Sequence, residues 1–242
     1  MATVMMIASG KGGTGKSTFA TYLSTELALK NKKTLLIELD AGLRSIDVIS
    51  GTDRQAVYDI GDVLGGRCDV YKAMIVSPYS ENLHIIAAPY KNLDGDFSGL
   101  KPVVDSLYSD FDYIVIDTAA GLGSAFTAAC KVAVLGIIVV TPDIISVRDG
   151  RVVSDEMYAC GITDIRLIIN KYSSQTFKFS GFDDMDAIID QVCARLLGVI
   201  PMSRRIAVSA IGGQRLSLGS QEKQIFNAIS QRVMGKDVQI II

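Results

Sequence analysis

A glycine-rich segment near the N-terminus constrains the fold of this chain more than any other part of its sequence. Residues 10–17 read GKGGTGKS and match the pattern G-x-x-x-x-G-K-[ST]. An apolar run, residues 3–8, precedes the segment directly, and a helical pattern follows it to about Lys30. In this order of strand, loop and helix, the glycines let consecutive backbone N–H groups converge on phosphate oxygens. The segment therefore predicts a phosphate-binding loop at a helix N-terminus.

Three side chains of this loop carry its predicted chemistry. Lys16 can reach the β- and γ-phosphates of a nucleotide, and the hydroxyl of Ser17 can bind Mg²⁺. Lys11 is a second lysine, placed directly after the first glycine, which an ordinary loop of this kind does not need. The loop therefore predicts binding of a nucleotide with Mg²⁺, and Lys11 is its distinguishing feature.

Short runs rich in Val, Ile and Leu alternate with helical stretches along the chain. We predict strands at residues 3–8, 34–39, 83–87, 113–117, 134–141, 165–170 and 197–200, and a last helix at residues 221–234. Runs that are apolar on both faces are typical of parallel strands covered by helices on each side. This predicts a doubly wound, mainly parallel α/β sheet, the P-loop NTPase fold. No Pro-rich or Ser-rich linker divides it, so we expect a single domain over residues 1–242.

Composition and charge argue against several other classes of protein. The longest apolar run, residues 132–140, is far shorter than the roughly 20 residues that cross a bilayer. No basic region precedes the N-terminal apolar run, so we expect no signal peptide and a cytoplasmic location. The net charge of -2 provides no global attraction to nucleic acid, and no specific nucleic-acid partner is expected. The four cysteines lack metal-binding spacing, and we expect buried, reduced thiols.

Acidic residues end two of the predicted strands. Asp40 follows residues 34–39, and Asp117 ends residues 113–117. Because ligands of a doubly wound sheet bind beyond the carboxyl ends of its strands, both carboxylates are expected to face the same crevice as the glycine-rich loop. A carboxylate at Asp117 can hold a Mg²⁺-bound water opposite the Ser17 hydroxyl.

The glycine-rich loop also resembles the deviant Walker A motif of the MinD/ParA family of ATPases, on the sequence KGGTGKST at residues 11–18. In that family the extra lysine, here Lys11, contacts phosphates of the ATP bound by the other subunit. The resemblance implies ATP and Mg²⁺ as cofactors. It also implies an ATP-dependent homodimer, with hydrolysis only when the dimer has formed. The loop residues implied in nucleotide binding are Gly10, Lys11, Gly12, Gly13, Thr14, Gly15, Lys16, Ser17 and Thr18.

Two further segments are similar to the switch regions of this family. In LLIELDAGLRSID, residues 35–47, the aspartate that matches Asp40 helps to position the attacking water and the metal shell. In DTAAG, residues 117–121, Asp117 matches the Walker B acid and Gly121 a glycine of the loop that senses the γ-phosphate. The resemblance therefore implies Lys11, Lys16 and Asp40 as catalytic residues. It implies Ser17, Asp40 and Asp117 as the metal site.

The resemblance also places the adenine. IRLIINKY, residues 165–172, resembles the strand whose terminal Asn, here Asn170, reads the exocyclic amine of the base. Pro201 and Met202 lie where the family packs backbone against the base, although a simple strand-to-helix turn is the alternative for residues 201–205.

Within the family, the chain is more similar to the MinD branch than to the ParA branch, from about residue 3 to about residue 234. GLRSIDVISG at residues 42–51 and SVRDGR at residues 146–151 are two of the segments that carry this similarity. It implies a regulator of septum placement that recruits a MinC-like inhibitor and is released when an activator stimulates hydrolysis. Members usually end in an amphipathic membrane-binding helix, which is not evident in residues 235–242. Peripheral attachment to the inner membrane face is therefore left open.

Three other functions remain as alternatives. A ParA-like partition ATPase would need a basic surface for DNA, which the net charge does not favour. A metallocentre-maturation ATPase would need interface cysteines or a CxC pair, and those spacings are absent from the sequence. A ligase or amidase on the same scaffold would need a further catalytic domain or nucleophile cluster.

Overall fold

The computed structural model describes residues 1–42, 44–52, 55–89, 96–212 and 218–242. The strands are β1 Thr3–Ala8, β2 Thr34–Glu38, β3 Ile75–Val76, β4 Leu83–Ile86, β5 Tyr113–Asp117, β6 Leu135–Val140, β7 Asp164–Tyr172 and β8 Arg195–Pro201. The helices are α1 Lys16–Leu29, α2 Ser45–Ser50, α3 Ile60–Leu64, α4 Leu100–Ser106, α5 Ser124–Cys130, α6 Ile144–Ala159, α7 Ser174–Phe177, α8 Met185–Val192, α9 Arg204–Gly212 and α10 Ser220–Val233. A 3-10 turn covers Val70–Ala73.

The strands of the described residues form one sheet in the order β3-β4-β2-β5-β1-β6-β7-β8. All neighbouring strands run parallel except β3, which pairs antiparallel with β4. This confirms the predicted doubly wound, mainly parallel sheet. β1 lies at the centre of the sheet, between β5 and β6. After β1, the chain forms β2 to β5 on one side of it and then β6 to β8 on the other. The crevice beyond the carboxyl end of β1 is therefore the expected ligand position.

The core has two layers because the central strands bury both of their faces. In β1, Met6 packs in the layer of α5 and α6, which includes Phe126 and Met157. The neighbouring Met5 packs in the layer of α1 and α10, which includes Phe226. Alternate side chains of a strand point to opposite faces, so a run that is apolar at every position is what a sheet covered on both sides requires.

The structure differs from the sequence prediction at the sheet edges. β3 was not predicted, because two residues carry no periodic pattern and the strand exists through its pairing with β4. β7 and β8 extend beyond their predicted bounds at both ends. At the start, Asp164 pairs with Leu135 of β6 and Arg195 pairs with Arg166 of β7, and at the end Tyr172 pairs with Pro201, so backbone pairing continues where the apolar pattern stops.

The expectation of buried cysteines holds only in part. Cys130 is buried and Cys68 partly buried, but Cys160 and Cys193 are exposed, and all four are free thiols. The expectation is wrong for Cys160 and Cys193 because they follow the last turns of α6 and α8 at the surface. Within the part of the chain that is described, no helix combines the length and apolar character needed to cross a membrane.

Candidate functional site

The glycine-rich loop connects β1 to α1 at the carboxyl edge of the sheet, and its sequence dictates its backbone. Gly15 adopts φ of 90°, in the left-handed region that favours glycine. Gly10 lies against α6 so closely that a Cβ atom there would be 2.6 Å from the carbonyl oxygen of Asp149. Ser17 and Thr18 follow in the first turn of α1. The loop therefore presents a helix N-terminus to the crevice, as an anion site requires.

Lys16 and Asp117 form a buried ion pair at the centre of the site. The Lys16 ammonium donates to Oδ1 of Asp117 at 2.8 Å and to the hydroxyl of Ser17 at 3.3 Å. Burial raises the pKa of the Asp117 carboxyl, while the charge and hydrogen bond of Lys16 oppose that shift. The structure thus brings the predicted phosphate-binding lysine and the predicted Walker B acid into direct contact.

The residues around Asp117 fit a Mg²⁺ ion. Oδ2 of Asp117 is buried and has no hydrogen-bond partner among the described residues. Burial is the main cause of the raised pKa of Asp117, and the charge of Asp40, which follows β2 in the chain, adds to it. Carboxylate and hydroxyl oxygens are preferred Mg²⁺ ligands. Within the described ranges, no group of three or more His, Cys, Asp or Glu side chains is placed to hold a metal ion.

Glu38 is a site residue that the sequence analysis missed. The side chain at this last position of β2 is fully buried. It accepts hydrogen bonds from the backbone N–H of Ile46 at 3.1 Å and of Ala88 at 3.4 Å. Burial, and then the charge of Asp117, raise the pKa of Glu38 to about 8. Glu38 therefore joins the start of α2 to the segment after β4. The sequence feature that could have identified it is a carboxylate inside the apolar run 34–39.

Lys11 lies at the rim of the site and contacts its own chain. Its ammonium is 3.2 Å from Oδ1 of Asp143, and both side chains are about two-fifths exposed, at 41% and 42%. Asp143 is the N-cap of α6 and accepts from the N–H of Ser146. Burial would raise the pKa of Asp143, but hydrogen bonds from Thr141, Ser146 and Lys11 lower it. Asp143 was also missed, because only tertiary structure brings α6 to the loop.

Asn170 contacts the glycine-rich loop. Its Nδ2 donates to the carbonyl oxygen of Thr14 at 2.7 Å, and its Oδ1 accepts from the N–H of Lys171 at 2.9 Å. The ammonium of Lys171 donates to the carbonyl oxygen of Gly13 at 2.7 Å. Lys171 was not singled out from the sequence. The role of Asn170 at adenine stays a prediction.

The remaining predicted residues lie at the same edge of the sheet. The N–H of Gly121 donates to the carbonyl of Ser9 at 2.9 Å, so the loop after β5 contacts the start of the glycine-rich loop. Pro201 ends β8, and the exposed Met202 donates its N–H to the carbonyl of Tyr172 at 2.7 Å. Pro201 and Met202 therefore lie beside the segment that follows Asn170. In the segment of residues 42–51, Leu43 lies outside the described residues, and Ser45–Ser50 form α2.

Comparison with known proteins gives consistent similarities over nearly the whole chain. The model of the CobQ/CobB/MinD/ParA nucleotide binding domain matches residues 5–216. The septum site-determining protein MinD of Helicobacter pylori is 32% identical over 100% of this chain and 94% of its own. In a MinC:MinD cell division protein complex of Aquifex aeolicus, the matching chain is 30% identical, with a TM-score of 0.90 over 99% of this chain and 98% of that one. The Pyrococcus horikoshii MinD complexed with Mg-ADP is 26% identical, with a TM-score of 0.83 over 96% of both chains.

Proposed function

The chain belongs to the MinD group of the CobQ/CobB/MinD/ParA nucleotide-binding family, and on that premise we propose that it is an ATPase switch for septum placement. It binds Mg-ATP, dimerises around it, and returns to the monomer after hydrolysis. The whole chain, residues 1–242, acts as one ATPase domain. ATP and Mg²⁺ are its cofactors, as Mg-ADP is the ligand of the Pyrococcus horikoshii protein.

The position of Lys11 is the observation that carries this proposal. Lys11 lies at the rim of the site, 41% exposed, and its partner Asp143 is equally accessible to solvent. An ion pair this exposed contributes little stability, so the ammonium can leave Asp143 at small cost when a stronger anion comes near. A triphosphate in the site of a second copy of this chain supplies such an anion. Charge stabilisation across the interface then requires the dimer.

The buried residues supply the rest of the mechanism. Lys16 donates to Asp117 and neutralises its carboxylate in the structure. When a triphosphate enters, Lys16 exchanges the Asp117 oxygen for β- and γ-phosphate oxygens, and the Asp117 carboxylate becomes available to the metal site with Ser17 and Asp40. Mg²⁺ held by these residues would neutralise charge on the phosphate oxygens. Asp40 orients the attacking water, and the loop at Gly121 responds to the γ-phosphate.

The same family assignment supports our proposals for the adenine-binding residues and for the protein partners. Asn170, Pro201 and Met202 form the adenine side of the site. Since the Aquifex aeolicus relative forms a complex with MinC, we infer a MinC-like inhibitor as a partner, with an activator protein that stimulates hydrolysis. The protein acts in the cytoplasm, at the inner membrane face when attached. A ParA-like partition role is the second candidate. The net charge of -2 does not favour the basic, DNA-binding surface that this role needs.

Light scattering after gel filtration tests the switch. In saturating Mg-ATP the protein should have twice the 26.0 kDa mass of the monomer, and in Mg-ADP it should be a monomer. Phosphate release should rise more than linearly with protein concentration, because the active species is the dimer. Cosedimentation with anionic vesicles and retention on duplex DNA, each with and without ATP, separate the septum and partition roles. A monomer in Mg-ATP with nucleotide bound would refute the proposal.

A further inference from the structure

Two consecutive residues at the end of β7 bind two consecutive carbonyl groups of the phosphate loop. Asn170 donates its amide N–H to the carbonyl of Thr14, and the Lys171 ammonium donates to the carbonyl of Gly13, both at 2.7 Å. Asn170 is 9% exposed, so its contact is shielded from water. The contacts join residues more than 150 positions apart in sequence. These two side-chain hydrogen bonds join the end of β7 to the loop.

The backbone of β7 explains how neighbouring side chains reach one loop. In a regular strand, consecutive side chains point to opposite faces of the sheet. Lys171 instead adopts φ of 57°, in the left-handed region, and the pairing of β7 with β8 shifts register between Ile169 and Tyr172. This irregularity redirects Lys171 toward the side that Asn170 already faces. Lys171 thus combines a left-handed backbone conformation with a side-chain contact to the loop.

These two contacts also set the direction of two N–H groups. In a trans peptide, the C=O of one residue and the N–H of the next point in opposite directions across the same plane. Holding the carbonyl of Gly13 therefore turns the N–H of Thr14 away from Lys171. Holding the carbonyl of Thr14 turns the N–H of Gly15 away from Asn170. We therefore expect both N–H groups to face the opposite side of the loop, where successive N–H groups can bind an anion.

We propose that Asn170 and Lys171 form a brace that preorganises the loop for phosphate, so that the pair supports nucleotide binding independently of the base. The proposal rests on the proposed function, since it concerns how this same site binds its nucleotide. It assigns Lys171 as a positioning residue and adds a second role for Asn170 beside the adenine contact. Oδ1 of Asn170 has one further lone pair with which to accept from an adenine amine, so the two roles are compatible.

Lys171→Met is the central variant, because it removes the ammonium from an exposed side chain while keeping its length. Isothermal titration should compare Mg-ADP with Mg-pyrophosphate, which carries no base. The brace predicts roughly a three- to tenfold loss of affinity, because one charge-assisted hydrogen bond is lost. The fold-loss should be the same for Mg-ADP and for Mg-pyrophosphate. Lys171→Arg should restore affinity for both. Lys178→Met, at another exposed lysine nearby in sequence, is the matched control and should bind as the unmodified protein does.

Asn170→Ala provides the second measurement, checked first by its melting temperature. The brace predicts weaker binding of Mg-pyrophosphate, whereas a residue that only reads adenine would leave pyrophosphate binding unchanged. Unchanged pyrophosphate affinity in Lys171→Met overturns the brace, even if Asn170→Ala does not fold. Failure of the unmodified protein to bind either ligand would instead refute the proposed function.

Discussion

The ammonium of Lys16 lies 2.8 Å from Oδ1 of Asp117, and the two side chains are 6% and 0% exposed. Each charge is therefore neutralised by the other. A buried charge that loses its partner is costly, and the favourable exchange is one in which a phosphate and a metal ion replace the two partners together. We therefore expect loss of either partner alone to destabilise the site.

We expect Lys16→Ala to lose nucleotide affinity at least tenfold, because the charge that pairs with the β- and γ-phosphates is removed. The same change leaves Asp117 buried without a counter-charge, which should lower the free energy of unfolding by about 3 kcal/mol. Denaturant unfolding without nucleotide measures this loss. The double variant Lys16→Ala/Asp117→Asn should recover stability but not nucleotide binding. Equal instability of the single and double variants would show that the ion pair is not the cause.

Lys11→Ala should behave differently from Lys16→Ala. Because Lys11 lies at the rim and pairs only with the exposed Asp143 among the described residues, its loss should leave monomer stability and ATP binding nearly unchanged. ATP-dependent dimerisation and hydrolysis should both disappear. Gel filtration with light scattering and a phosphate-release assay measure these effects, with Lys178→Ala as an exposed-lysine control. Normal dimerisation and turnover of Lys11→Ala would remove the argument for a lysine supplied across the interface.

Asp40→Ala should separate binding from chemistry. The carboxylate is expected to order the attacking water and its metal surroundings, a contribution made mainly in the transition state, so turnover should fall more than ATP affinity. A variant that binds ATP without hydrolysing it should accumulate as a dimer, with twice the 26.0 kDa mass in Mg-ATP and the monomer mass in Mg-ADP. If Asp40→Ala lost affinity and turnover in the same proportion, its role would be in binding instead.

Glu38 predicts a pH dependence of stability. Its pKa rises from 4.5 to about 8 in the folded protein, so between these values the folded chain holds a proton that the unfolded chain has lost. The free energy of unfolding should therefore fall as pH rises from about 4.5 to 8, and this contribution should level off above 8. Urea unfolding with EDTA and no nucleotide measures the profile. Glu38→Gln should remove this slope, and parallel profiles for the two proteins would contradict the assignment.

Several features of the fold and site were predictable because their signals are local. The glycines and Lys16 of the loop, the helix that follows, and the apolar runs that form β1, β2, β5 and β6 all have spacings or lengths typical of the element they form. Asp40 and Asp117 were identified because parallel strands bring their carboxyl ends to one edge. The same reasoning could not find β3, whose two residues are a strand only when β4 lies beside them.

By itself, the sequence determined that the chain has a glycine-rich loop between a strand and a helix of a mainly parallel sheet, and which strand ends carry acids. Tertiary structure alone decided the partners within the site. Lys11 meets Asp143 across 132 positions, Lys16 meets Asp117 across 101, and Lys171 meets Gly13 across 158. The reason is physical. Periodicity and turn chemistry act over a few residues, whereas burial, ion pairing and the raised pKa of Glu38 depend on which distant strands and helices the packed core brings together.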